Sequence, residues 1–182
     1  FQALASKTSW DGDVTDIAPA LYAEAYYFNK NYSFGGTWKS IHPDFEASSG
    51  FVNRTDFRSA GAFANFRLYP DKPYLNQVQL NLQAGRRDGY FDSVTQDTWV
   101  RAQTRLRFTE FNQLNLTVEN GLERYAETDF RKTSFQLEGQ SNILKRMPFV
   151  VFAEIGDTIN YDPEDAYLGW GVTYGVGLNF KP

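Results

Sequence analysis

Gly169-Trp170-Gly171-Val172-Thr173-Tyr174-Gly175-Val176-Gly177-Leu178-Asn179-Phe180 alternates without a break between large apolar residues and small or polar ones. Successive side chains of a β-strand point to opposite faces, so this stretch reads as one strand with two unlike sides. Trp170, Val172, Tyr174, Val176, Leu178 and Phe180 fall on one side, and Gly169, Gly171, Thr173, Gly175 and Gly177 on the other. The same two-sided pattern recurs upstream. Val78, Leu80, Leu82 and Ala84 oppose Gln77, Gln79, Asn81 and Gln83; Val100, Ala102, Leu106 and Phe108 oppose Arg101, Gln103, Arg105 and Arg107. Leu114, Leu116, Val118 and Leu122 oppose Asn115, Thr117, Glu119 and Glu123. Arg, Glu and Gln are poor occupants of a dry interior, so the polar set is not a soluble core.

Earlier strands carry more noise. Tyr32, Phe34 and Trp38 share a side, as do Ala60, Ala62, Ala64, Phe66 and Leu68, whereas in 18–28 both sides carry aromatics and the register stays open. The segment 149–155 is nearly all apolar, with Glu154 its single charge. These segments predict ten strands, at about 1–10, 18–28, 32–41, 56–69, 75–86, 97–110, 113–123, 131–142, 149–157 and 166–181. Between them, short connections (28–31, 69–74, 110–113, 142–148) alternate with longer ones (10–19, 39–56, 86–97, 123–132, 157–166). Up-and-down transmembrane β-barrels sort their loops in this way, with tight turns on the periplasmic side and longer loops outside. The expected fold class is therefore all-β: an up-and-down antiparallel transmembrane β-barrel, about ten strands in this chain and part of a larger barrel, with 1–182 as one barrel domain or barrel segment.

Composition points the same way. Aromatic residues make up 17% of the 182 residues, several of them near strand ends, such as Trp10, Tyr69, Tyr74, Tyr125, Tyr161 and Tyr167. Girdles of such rings mark both membrane interfaces of a barrel. Mean hydropathy is nevertheless −0.50, and no run approaches the roughly 18 apolar residues of a spanning helix. The absence of cysteine excludes disulfides and thiolate metal sites, and a net charge of −4 argues against nucleic acid as a partner.

Asp44-Phe45-Glu46-Ala47-Ser48-Ser49-Gly50-Phe51-Val52-Asn53-Arg54-Thr55-Asp56-Phe57-Arg58 resembles the "DFNPEVGFVPRTDYR"-like signature of a poorly characterised bacterial outer-membrane barrel family. Asn31 to Ile41 also looks like the strand preceding that signature. Larger members of the family carry an N-terminal module similar to family 9 carbohydrate-binding domains. Glu46-Ala47 stands where the family often has Asn-Pro, and Asn53 where it has Pro. The resemblance implies a Gram-negative outer-membrane location and strands beyond those seen here. The ending Phe180-Lys181-Pro182, where barrels commonly finish on an aromatic residue, adds to the expectation of a longer barrel, with a closed ten-strand barrel, even in number and with both ends on the periplasmic side, as the alternative. The motif is also the longest connection, and Asp44, Phe45, Gly50, Phe51, Arg54, Asp56 and Arg58 read either as a plug folded into the lumen or as an extracellular hairpin extension.

On the polar side, Arg101, Gln103, Arg105, Arg107, Glu119, Glu123 and Glu138 are expected to line the lumen and to form cross-strand pairs. Such pairs stabilise a sheet by roughly 0.2–1 kcal/mol each. Catalytic residues are not expected: His42 is the one histidine, and Ser40, His42 and Asp44 are too close in sequence for a triad. Asp11, Asp13 and Asp16, and Asp157, Asp162, Glu164 and Asp165, crowd two connections without the spacing of a calcium loop, so no metal and no cofactor is expected. The function class this supports is an outer-membrane barrel acting as porin-like channel, anchor or scaffold, or as a subunit of a larger assembly in the cell envelope. Its partners would be outer-membrane lipid and lipopolysaccharide, with other outer-membrane or periplasmic proteins. An outer-membrane barrel hydrolase and a soluble ligand-binding β-barrel are the alternatives.

Overall fold

The computed structural model describes residues 2–10, 13–45, 54–142 and 148–178, with side chains from residue 18 onward except that of residue 111. The chain is built from strands β1 (Gln2–Trp10), β2 (Asp13–Phe28), β3 (Tyr32–Ile41), β4 (Phe57–Leu68) and β5 (Leu75–Asp88). It continues through β6 (Thr95–Phe108), β7 (Gln113–Tyr125), β8 (Thr128–Ser141), β9 (Phe149–Asn160) and β10 (Tyr167–Leu178). Each strand pairs antiparallel with the next, giving one open up-and-down sheet in chain order with β1 and β10 at its edges. No helix among the described residues is long and apolar enough to cross a membrane.

Consecutive antiparallel pairing puts alternate connections at opposite ends of the sheet. Their lengths do not alternate as the sequence suggested. Only 11–12 separate β1 from β2, and only 126–127 separate β7 from β8, where longer loops were expected at 10–19 and 123–132. At 126–127 the chain reverses on Ala126 and Glu127, with φ of 46° and 64°. Two consecutive positive φ values are the requirement of a tight hairpin turn normally met by Asn-Gly or Asp-Gly, and neither residue advertises it. The connections 89–94 and 161–166 are likewise shorter than the 86–97 and 157–166 expected, because the flanking strands run on. The segment 42–56 remains the longest connection, and residues 46–53, including Gly50 and Phe51, lie outside the described residues.

Register fixes the two faces. Val78 stands opposite Leu106, Leu82 opposite Ala102, Leu116 opposite Leu137 and Val118 opposite Phe135 on one face. Gln79 opposite Arg105, Asn81 opposite Gln103 and Arg101 opposite Glu119 occupy the other. The open register of β2 resolves with Leu21, Ala23, Ala25 and Tyr27 on the apolar face, since Ala23 pairs with Trp38 and Tyr27 with Phe34. The largely apolar first half of β9 resolves too: Val151, Ala153 and Ile155 share the apolar face with Val176, Tyr174 and Val172, while Val150 and Phe152 lie on the polar one.

Burial runs opposite to that of a soluble protein. Along β7, Asn115 is 5% exposed and Thr117 8%, whereas Leu116 is 44% and Val118 42% exposed. The exposed surface totals 12869 Å². A compact soluble monomer of 20.8 kDa would expose about 8,900 Å². The excess is apolar in large part: Trp170, Val172, Tyr174, Val176 and Leu178 of β10 all stand exposed. Among the described residues the buried apolar side chains are Ala18, Phe57, Phe130 and Ile159, which lie towards the strand ends that meet 11–12, 42–56, 126–127 and 161–166.

Candidate functional site

The polar face of β5–β8 is tied together in rungs. Arg107 Nη1 donates to Gln77 Oε1 at 3.2 Å. One step along, Arg105 Nε donates to Asn115 Oδ1 at 2.9 Å, and Asn115 Nδ2 passes the chain to Glu138 Oε2 at 3.1 Å. The next rung runs from Gln79 Nε2 to Asn81 Oδ1, from Asn81 Nδ2 to Gln103 Oε1 at 2.9 Å, and on to Thr117. Each link places a side-chain amide or guanidinium against an amide, carboxylate or hydroxyl oxygen, so the buried Gln77, Asn115 and Thr117 each have a hydrogen-bond partner. Satisfying such groups is what makes their burial tolerable.

Towards the end that carries 42–56, amide rungs give way to ion pairs. Arg101 Nε donates to Glu119 Oε2 at 2.6 Å, and Arg87 Nη1 to Asp97 Oδ2 at 2.6 Å. Arg54 reaches the same rim from the long connection, donating to Gln96 Oε1 at 2.7 Å and lying 3.7 Å from Asp97. Lys132 Nζ donates to Glu123 Oε2, and Tyr161 Oη donates to Glu123 Oε1 at 2.9 Å. Tyr125 Oη in turn donates to the carbonyl of Tyr161, fixing the connection 161–166 to β7. Burial would raise the Glu123 carboxyl, but the hydrogen bonds from Lys132 and Tyr161 outweigh it and hold the group below its ordinary 4.5. Burial likewise opposes the Lys132 charge, yet the Glu123 partner raises that ammonium above 10.5. Tyr161 is raised by burial and by its bond to Glu123.

Arg101, Gln103, Arg105, Arg107, Glu119, Glu123 and Glu138 therefore share one face. Only Arg101 meets a glutamate among the described residues; Arg105 and Arg107 find Asn115 and Gln77, and Glu123 takes Lys132. Of the long-connection motif, Phe45 donates its N–H to the His42 carbonyl, and Asp44 Oδ2 lies 3.7 Å from His42 Nδ1. Asp56 takes φ of 61°, its carbonyl accepts from Gln96, and Arg58 lies 4.6 Å over the Tyr90 ring. His42 stands edge-on between Tyr90 and Phe91. Ser40 sits opposite Arg58 on β4, so Ser40, His42 and Asp44 form no Ser–His relay among the described residues. In 161–166, Asp162 accepts from the N–H of Glu164, and the described residues bring no three acidic or histidine side chains together as a metal cluster.

A cavity of about 650 Å³ opens on the polar face where the rungs end, walled by residues of β5, β6, β7, β8 and β9. Five consecutive strands around one space make this face concave. Space exists because the row through Trp99 is otherwise small: Gly61 and Gly85 on one side, Gly121 on the other. A Cβ at Gly85 would collide with the Trp99 ring, so the indole lies directly on that glycine. Phe63 covers Gly35 and Phe152 covers Gly175 in the same manner. An aromatic ring over a cross-strand glycine fills the gap left by the missing side chain, a device that supports curved sheets. Trp99 is not among the lumen residues expected from the sequence, although its odd-numbered position, shared with Arg101 and Gln103, places it on the polar side.

No family model, curated protein or solved structure matches this chain. The resemblance over 31–58 therefore stands on those residues alone.

Proposed function

We propose that this chain forms wall of an outer-membrane β-barrel, with its apolar face against lipid and its polar face towards an aqueous lumen. The observation that carries the proposal is the alternation on β7, where Leu116 and Val118 stand exposed between buried Asn115 and Thr117. Exposing that much aliphatic surface to water is unfavourable by roughly 25 cal/mol per Å². Hydrocarbon removes the penalty. The strand lengths fit: on β4 the apolar run Ala60–Leu68 covers about 26 Å along the strand at roughly 3.3 Å per residue. That is near the low end of the roughly 9–11 residues a tilted strand needs to span. Beyond this band the outward positions become Arg86, Asp88, Asn120, Arg124 and Arg131, as suits hairpins standing in water.

A spanning sheet cannot leave backbone groups unsatisfied in lipid. The edges β1 and β10 would accordingly pair with further strands or another chain, consistent with the longer barrel that the resemblance over 31–58 implies. The proposed role is a channel wall or membrane scaffold in a bacterial outer membrane, in contact with its lipid and lipopolysaccharide. A soluble ligand-binding barrel would need the two faces exchanged. Fractionation tests the reading: the protein should stay with membranes through salt and alkaline washes and leave only with detergent. Release by alkali alone would overturn it.

A further inference from the structure

The rungs near the short-turn end use up their hydrogen-bonding groups, but the walls of the cavity above Trp99 do not. Gln83, Gln136 and Glu154 all line it, and among the described residues none of their side-chain oxygens or amides has a protein partner. The cations around the same space lie against carboxylates: Arg101 on Glu119, Lys132 on Glu123, and Arg87 on Asp97 with Arg54 3.7 Å from the same carboxylate, while Arg87 Nε is a buried donor without a partner. An anion would have to draw a cation from these pairs and would meet the unpaired Glu154 carboxylate; a cation would satisfy Glu154 alone and leave Gln83, Gln136 and the Trp99 face unused. A neutral ligand bearing hydroxyls, each both donor and acceptor, could use Gln83, Gln136 and Glu154 without disturbing any pair. The Trp99 indole, backed by Gly85 and facing the cavity, offers a flat apolar surface in the midst of these polar groups. A pyranose ring has that pairing of properties, an apolar C–H face and a rim of hydroxyls. The volume, about 650 Å³, lies within the usual range of about 300–1,000 Å³ for small-molecule sites.

We infer that the cavity over Trp99 is a binding site for a neutral saccharide. The ring stacks on the indole, and its hydroxyls exchange hydrogen bonds with Gln83, Gln136 and Glu154. The inference goes beyond the membrane reading and does not depend on it, because the cavity walls are the same whatever medium touches the opposite face.

The test uses the full chain in detergent micelles, titrated with maltose and cellobiose as neutral probes and with glucuronate and glucosamine as charged comparators. Binding is read by saturation-transfer NMR and by tryptophan fluorescence. At least one neutral disaccharide should give saturable binding, tighter than either charged sugar. Trp99→Ala should weaken it by about tenfold, equivalent to roughly 1.4 kcal/mol, and Trp99→Phe by less. Gln136→Ala and Glu154→Gln, at exposed positions, should each weaken it several-fold while leaving the strand signal in circular dichroism unchanged. These two carry the test should Trp99→Ala fail to fold. Absence of saturable binding by either neutral disaccharide to folded protein would overturn the inference, as would equal binding by wild type and both exposed-site variants. Failure of the membrane reading would show instead in fractionation, with sugar binding intact.

Discussion

The strands β5–β8 differ between their two halves. In the half near 69–74 and 109–112, outward positions are Val78, Leu80, Leu106 and Leu116, and inward ones are amides and guanidinia joined in rungs. In the half near 89–94 and 126–127, outward positions turn to Arg86, Asp88, Asn120 and Arg131, and inward ones become ion pairs around a cavity. The buried apolar residues Phe57 and Phe130 belong to this second region, with Arg87 lying 5.2 Å over the Phe57 ring. Pairing of the backbone is continuous through both halves, so the sheet itself does not change. The difference teaches that the outward face does: it is apolar in the first half and charged in the second, which is what the proposed lipid and water surroundings would require.

The largest expected effect breaks the comparison if it fails. Leu116→Arg puts a charge in the centre of the apolar band and should destabilise the protein in bilayers by roughly 2–4 kcal/mol. Leu168→Arg, outward on β10 beyond the band, should cost only about 0–1 kcal/mol. Unfolding by denaturant from lipid vesicles measures both, and equal costs would erase the boundary between the halves.

Steric fit comes next. A Cβ at Gly121 would run into the backbone carbonyl of Thr98, which cannot swing aside, whereas Gly177 has open space around its Cβ position. Gly121→Ala should therefore cost roughly 1–3 kcal/mol, as overpacking does, and Gly177→Ala close to nothing by the same unfolding assay.

Hydrogen bonding separates the halves more gently. Asn115→Ala removes the link between Arg105 and Glu138 and should cost about 1–3 kcal/mol, the penalty for stranding buried polar groups. Gln136→Ala, at a position that the rungs do not use, should stay within about 0.5 kcal/mol in the same measurement.

Much of this was legible in the sequence, and the reason is period two. Wherever one face is apolar and the other polar, as at Leu80/Gln79 or Val172/Thr173, alternation was plain and the register preserves it. The lengths of the connections were not legible. Beyond the apolar band polar residues occupy both faces, alternation vanishes, and strand residues such as Arg87, Gln96, Arg124 and Thr158 read as loop. The 126–127 turn hid for a different reason, since Ala126 and Glu127 adopt positive φ without the Gly or Asn that usually signals it. For the site, polar positions were readable one strand at a time. The partners were not, because Arg105 choosing Asn115 and Glu123 choosing Lys132 depend on a register that single strands do not encode.

The smallest effect concerns pH at the rim. Glu123 is held below 4.5, so its contribution is present above that value and is lost as pH falls through the lowered value. Lys132 is raised above 10.5, so its share is complete below that value and is lost as pH rises through the raised one. The protection factors of amides in the Tyr161 connection, with the intrinsic pH dependence of exchange divided out, should therefore be highest between those limits and fall towards either extreme. The amides of the rung half, Asn115 and Thr117, should not follow this profile.

The central claim, lipid on one face and water on the other, is tested most directly on neighbours. Gln136 and Leu137 are adjacent on β8, both exposed, and on opposite faces. Because the chain has no cysteine, Gln136→Cys and Leu137→Cys can each carry a single nitroxide label in lipid vesicles. The account predicts that the label at 137 relaxes with oxygen, which concentrates in hydrocarbon, and the label at 136 with a water-soluble nickel chelate. Equal response to the nickel chelate at both positions, or the reverse preference, would contradict it.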